Sequence, residues 1–254
     1  MADRTTARPL ARNIAIGVAI ALVSGVIGWQ WEAHRLGLGG GSRIAASDKA
    51  AIEQVVHDYL MTHPEVLPKA MDELQHRQNA FQLASVRDDV ERAVPGAVLG
   101  NPDGKIVLVE FTDYACGYCR KSVADVDALI AANPDLKVVV RELPILTPES
   151  ADAAKMALAA AEQGKYGAFH KAMFEIGRPG AETIAQAART AGLDMARAQG
   201  VIALPATEAE LVRNLELAKA LGFSGTPSWV VGDAMLTGAV GQEQLAKAIH
   251  DARS

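Results

Sequence analysis

The sequence predicts an α/β domain set behind a helical stalk and a membrane-crossing segment. Three observations carry that reading. A β-branched run, Lys105 to Phe111 (KIVLVEF), leads through a short turn into a helical stretch, Arg120 to Ala132, and a second β-run, Leu136 to Leu143 (LKVVVREL), follows. The helix between two such runs makes a βαβ unit. Upstream, residues 48–94 keep helical spacing, and residues 13–31 carry no charge at all.

The chain has 254 residues, half of them hydrophobic and 22% charged, which suits one full domain with appendages and argues against global disorder. A net charge of −5 gives no basic face for nucleic acid.

Residues 13–31 (NIAIGVAIALVSGVIGWQW) would span roughly 28 Å as a helix, close to the hydrocarbon core of a bilayer. Arg4, Arg8 and Arg12 precede the run, so residues 1–12 are expected on the cytoplasmic side and the rest beyond the membrane. Trp29 and Trp31 fall where aromatic rings favour the far interface. A cleaved signal segment is the competing reading, with Ala45-Ala46-Ser47 as its site. Both readings export the remainder, to a periplasmic or other extracytoplasmic space.

Residues 32–47 read as a linker, loosest at Leu36 to Ser42 (LGLGGGS). In the stalk, Ile52, Val55, Val56, Tyr59 and Leu60 share one helical face, with Ser47 as an N-cap. His63-Pro64-Glu65 interrupts that helix. Val66, Leu67, Ala70, Met71 and Leu74 continue an apolar stripe, and Pro95-Gly96 closes the segment. Such a stripe either packs back on the domain or joins copies of the chain into an oligomer.

The only two cysteines, Cys116 and Cys119, sit at the strand-to-helix turn as Cys116-Gly117-Tyr118-Cys119. At a helix start, unpaired N–H groups and the macrodipole stabilise an anion, so Cys116 is expected to be the nucleophilic thiolate. Cys119, one turn in, should be more buried and resolve the mixed disulfide. Gly117 lets a substrate backbone approach. A zinc site would need two further ligands, and the six histidines supply no matching pair. A structural disulfide has no reason to sit at a helix start. Capture of a soft metal such as Cu(I) is the chemical alternative.

Glu110 stands in an apolar strand, which is costly without work or a partner. Burial would raise its pKa and let it pass a proton to or from Cys119, whereas an edge strand would let it reach solvent. Downstream, Gly225-Thr226-Pro227-Ser228-Trp229 puts a proline at the start of a strand.

VEFTDYACGYCRKS (109–122), VVVRELPIL (138–146), AAKMALAAAEQGKYGAFHKAMF (153–174) and GFSGTPSWVVGD (222–233) together resemble the DsbA-like thiol–disulfide oxidoreductases over about residues 97–254. The resemblance implies a thioredoxin-like fold with a helical insertion at about 148–217. It implies that the Thr226–Pro227 bond is cis, that Thr226 and Pro227 bind substrate backbone, and that Glu110 is the buried proton-relay acid. The working group would be the redox-active disulfide itself, with no other cofactor, and the substrates partly folded or wrongly paired proteins served together with a membrane redox partner. Strongly oxidising members carry histidine where Tyr118 stands, so a less oxidising couple is expected here. More loosely, 48–94 is similar to the N-terminal extension of the ScsC-type subgroup, which implies trimer formation, isomerase activity and a link to copper tolerance.

Overall fold

The apolar run after Lys105 becomes the middle of a sheet. The computed structural model describes residues 46–253, and the expected anchor or signal at 13–31, with its leader and most of the linker, lies outside the described residues. Among the described residues no helix is long and apolar enough to cross a membrane.

Contacts divide the chain into two units, one ending at Pro68 and one beginning at Lys69. In the first, helix α1 (Ala46–Thr62) ends before His63 and Pro64, as the sequence indicates. Ser47 lies within this helix, so it is not the cap expected of it. Ile52, Val55, Val56 and Tyr59 are each at least half exposed. Helix α2 (Val66–Ala84) crosses the division.

The stalk expected over 48–94 therefore does not end at Pro95-Gly96. Its last part is core: Leu83 and, from the short helix α3 (Arg87–Glu91), Val90 are fully buried with Val109, Phe111, Val139 and Leu143. Apolar side chains at those two positions bury too much surface to remain outside the domain.

The second unit holds a five-stranded sheet of β1 (Val98–Gly100), β2 (Ile106–Thr112), β3 (Leu136–Glu142), β4 (Ser228–Val231) and β5 (Ala234–Thr237). Their order is β1-β3-β2-β4-β5. The β2 and β3 strands pair in parallel through α4 (Gly117–Ala132), and the other pairings are antiparallel. Parallel strands covered on both faces read as continuous apolar runs, which is why β2 and β3 were visible in the sequence. A mixed sheet with its active helix on one face is the thioredoxin-like arrangement.

Between β3 and β4 runs an insertion of five helices: α5 (Pro148–Glu162), α6 (Tyr166–Ile176), α7 (Ala181–Thr190), α8 (Met195–Ile202) and α9 (Pro205–Ala220). It extends three residues past the expected end at 217. Thr147 opens α5 with a capping box, its Oγ1 accepting from Ser150 N while Ser150 Oγ accepts from Thr147 N. The final helix, α10 (Gly241–Asp251), packs on α4.

One buried cation ties these layers. Arg141, 2% exposed, donates from Nε to Val90 O (3.2 Å) and from Nη1 to Glu210 Oε1 (2.9 Å) and Asn214 Oδ1 (3.0 Å). Its Nη2 reaches the carbonyls of Asp89 and Arg92. Those carbonyls end α3, where a cation is favoured by the helix dipole.

Candidate functional site

The turn from β2 into α4 fixes both thiols. Cys116 is the N-cap of α4, with extended backbone, and the Cys119 amide donates to its sulfur at 3.4 Å. Cys116 is 6% exposed and Cys119 fully buried. The Cys116 thiol donates to Thr226 O at 3.1 Å, so the loop before β4 sits against the nucleophile. The Thr226–Pro227 bond is cis, and the strand begins one residue after Pro227. A Cβ at Gly117 would meet nothing within 4 Å, which leaves open space beside Cys116. Tyr118 projects outward, 64% exposed.

Asp113 holds this turn in place. Its carbonyl accepts from Cys116 N and its Oδ1 from Ala115 N. Its Oδ2 accepts from Ile145 N and Leu146 N, both at 2.9 Å. A buried carboxylate satisfied by three amides joins the dithiol turn to the loop after β3. Ile145 and Leu146 themselves are exposed there.

Glu110 lies on a central strand, paired with Val140 of β3 on one side and Trp229 of β4 on the other. At 3% exposure it does not reach solvent, so the edge-strand alternative fails. Burial first, then the neighbouring Glu142, push its pKa up to about 8. Burial and the nearby Glu110 likewise drive the Cys119 thiol far upward. A thiol this reluctant to ionise needs a base beside it to become a nucleophile.

Sequence reasoning missed a second buried cluster on the same sheet face. Glu142 Oε1 accepts from Tyr166 Oη (2.7 Å) and Tyr114 Oη (3.1 Å), and Tyr114 Oη lies 3.2 Å from His170 Nδ1. Burial raises Glu142 to about 8 and lowers His170 to about 4. Glu142 alternates into the core like Glu110 does, but it ends its strand, where the apolar run no longer marks which side chains are buried. A groove of about 680 Å³ lined by Arg92, Arg141, Leu158 and Leu204 contains none of the dithiol residues.

Comparison with known proteins decides the relationship. A family model described as a DSBA-like thioredoxin domain matches residues 107–250. The chain belongs to the DsbA-like thioredoxin family. A second model, the copper resistance protein ScsC N-terminal domain, matches residues 48–80.

Among solved structures, this DsbA-like chain is similar to a thioredoxin-like oxidoreductase from Silicibacter pomeroyi DSS-3, at 44% identity and a TM-score of 0.62, covering 66% of this chain and 97% of that one. It is also similar to the thiol-disulfide exchange protein alpha-DsbA2 from Wolbachia pipientis (27%, TM-score 0.65, 70% and 97% covered). Proteus mirabilis ScsC in a transitional conformation matches over more of the chain (28%, TM-score 0.61, 84% and 98% covered). A curated relative, the Na(+)/H(+) antiporter NhaA of Herminiimonas arsenicoxydans, is 31% identical over 160 residues, 61% of this chain. The chain spans a quarter or less of the length of the curated relatives it matches.

Proposed function

We propose that this chain exchanges thiols and disulfides in exported proteins through Cys116 and Cys119. One observation carries the reading: Cys116 caps a helix with a backbone N–H on its sulfur, while Cys119 is buried behind it on the same side as Glu110. The Cys116 thiolate attacks one sulfur of a client disulfide, and the other client sulfur leaves with the electron pair. Cys119 then gives its proton to the Glu110 carboxylate and attacks Cys116 Sγ. The client's second sulfur departs as a thiolate, leaving the client dithiol and a Cys116–Cys119 disulfide. Run backwards, the same steps place a disulfide in a client.

Thr226, whose carbonyl accepts from the Cys116 thiol, and Pro227 next to it would bind a client backbone, with the open space at Gly117 and the exposed Tyr118 beside the thiol. Direction follows from the potential of the couple. Equilibration with glutathione measures it, a strongly oxidising value favouring disulfide formation and a value nearer thioredoxin's favouring reduction or isomerisation. Cys119→Ala tests the exchange itself: a client should remain trapped on Cys116. If nothing is trapped and only metal affinity is lost, the reading is wrong.

The match of residues 48–80 to a copper resistance N-terminal domain favours a second reading, in which the reduced dithiol holds Cu(I) as a soft-metal site. Among the described residues no group of three or more His, Cys, Asp or Glu could hold a metal ion.

The exposed Ile52, Val55, Val56 and Tyr59 support self-association of the first unit. Replacing Val55, Val56 and Tyr59 with serine should then lower the mass seen by light scattering. The uncharged run at 13–31 supports export, as an anchor or a cleaved signal, to a periplasmic or equivalent space where a membrane redox partner would reset the dithiol. N-terminal sequencing of the mature protein distinguishes the two.

A further inference from the structure

Glu110 and Glu142 are diagonal neighbours on one face of the β2–β3 pair, since Glu110 sits opposite Val140 and Thr112 opposite Glu142. Diagonal positions are within reach of long side chains. Both carboxyls are buried, and two such groups close together cannot both ionise cheaply. Their surroundings differ. Glu142 Oε1 receives two phenol hydroxyls, from Tyr114 before α4 and Tyr166 on α6, and bonds of that kind favour an anion. Glu110 accepts from no side chain, and Thr112 Oγ1 beside it is buried without a partner. Glu142 Oε2 is also unpartnered, so the two phenols on Oε1 make the whole difference between the acids.

We propose that Glu142 is a positioning residue for thiol exchange: it takes the first negative charge of this buried pair and so holds the proton on Glu110. This inference rests on the exchange reading of the dithiol. The groups facing Glu142 do not cancel such a charge. Tyr114, Tyr166, Thr112 and Glu110 carry no positive charge, and the negative Asp113 adds to the repulsion. His170, on α6, is held neutral by burial. Arg141 is adjacent in sequence, but its guanidinium is bonded to the end of α3 and to Glu210 and Asn214 of α9. With Glu142 charged, Glu110 stays an acid to higher pH and becomes the base for Cys119 only there.

The test loads Cys116 with glutathione as a mixed disulfide and follows its release by Cys119 against pH. Cys119 gives its proton to Glu110, its sulfur bonds to Cys116, and glutathione leaves with the electron pair. In the wild type the rate should rise above neutral pH. In Glu142→Gln the rise should move down by about one pH unit, and in Tyr166→Phe by less, in the same direction. A purely structural role for Glu142 would move thermal stability and leave this midpoint in place. Infrared titration of the buried acids judges the charge order directly: two steps in the wild type, with the higher one absent in Glu110→Gln. An unmoved midpoint in both variants, or loss of the lower step in Glu110→Gln, overturns the proposal. Failure of the wild type to release glutathione at all would sink the exchange reading instead, and the infrared arm would still decide the order of ionisation.

Discussion

The Cys116 thiol and the Thr226 carbonyl face each other at 3.1 Å, so the nucleophile and the loop before β4 form one surface. An incoming client sulfur must displace that hydrogen bond, which is weak for a thiol donor.

Cys116→Ser keeps a donor for Thr226 and a side chain able to accept from Cys119 N. Folding stability should change by less than about 1 kcal/mol, while exchange with a disulfide substrate should vanish. Denaturant unfolding and a thiol-exchange assay read the two effects separately. Full exchange activity in this variant would refute the role given to Cys116.

Stability should fall with pH through the range in which the buried acids hold protons that the unfolded chain has lost. Glu110 and Glu142 are raised from 4.5 to about 8, so the folded chain binds more protons than the unfolded one between those values. The slope of unfolding free energy against pH is then negative. His170, lowered from 6.5 to about 4, acts oppositely below pH 6.5, and two acids against one base leave the net slope negative. Glu110→Gln should therefore stabilise by up to about 4 kcal/mol at pH 8 and by little near pH 4.5, as read by urea unfolding at the two values.

Arg141 should tolerate no substitute. Arg141→Met leaves the α3 carbonyls and Glu210 without their donor, a loss of about 3–5 kcal/mol. Lysine cannot reproduce a planar fork with five acceptors, so Arg141→Lys should cost nearly as much. Urea midpoints of the two variants, compared with wild type, check this.

Asp113→Asn should loosen the joint between the dithiol turn and the loop after β3. Its amide nitrogen would confront N–H donors, and losing bonds to a charged acceptor costs about 1.5–3 kcal/mol. Hydrogen exchange at the Ile145 and Leu146 amides should speed up well beyond that of neighbouring strand amides.

The parts legible in the sequence are those with strong local signals. The β2 and β3 runs, the dithiol at a helix start and the interruption at His63-Pro64 needed only periodicity and turn chemistry. Helix α4 began three residues earlier than its apolar pattern suggested, because the N-cap is Cys116 itself. Strands β1 and β5 are three and four residues long, too short to announce themselves. Glu142 was passed over because the apolar signal of β3 lies in Leu136 and Val138 to Val140, and its last two residues, Arg141 and Glu142, look like a solvated end. They are buried because α6 and α9 return over them from far along the chain, and no local pattern records that return.

Because β2 and β3 run side by side with matched register, both acids owe their inward aim to parity. A slip of one residue in either strand would turn one of the two acids toward the opposite side and bring Arg141 or Phe111 round in its place. The five-helix insertion carries no such constraint on its length, since it leaves the sheet after β3 and rejoins it at β4. Natural variation in chain length should therefore gather in 148–220, while the spacing from Ile106 to Cys119 and from Leu136 to Glu142 stays frozen.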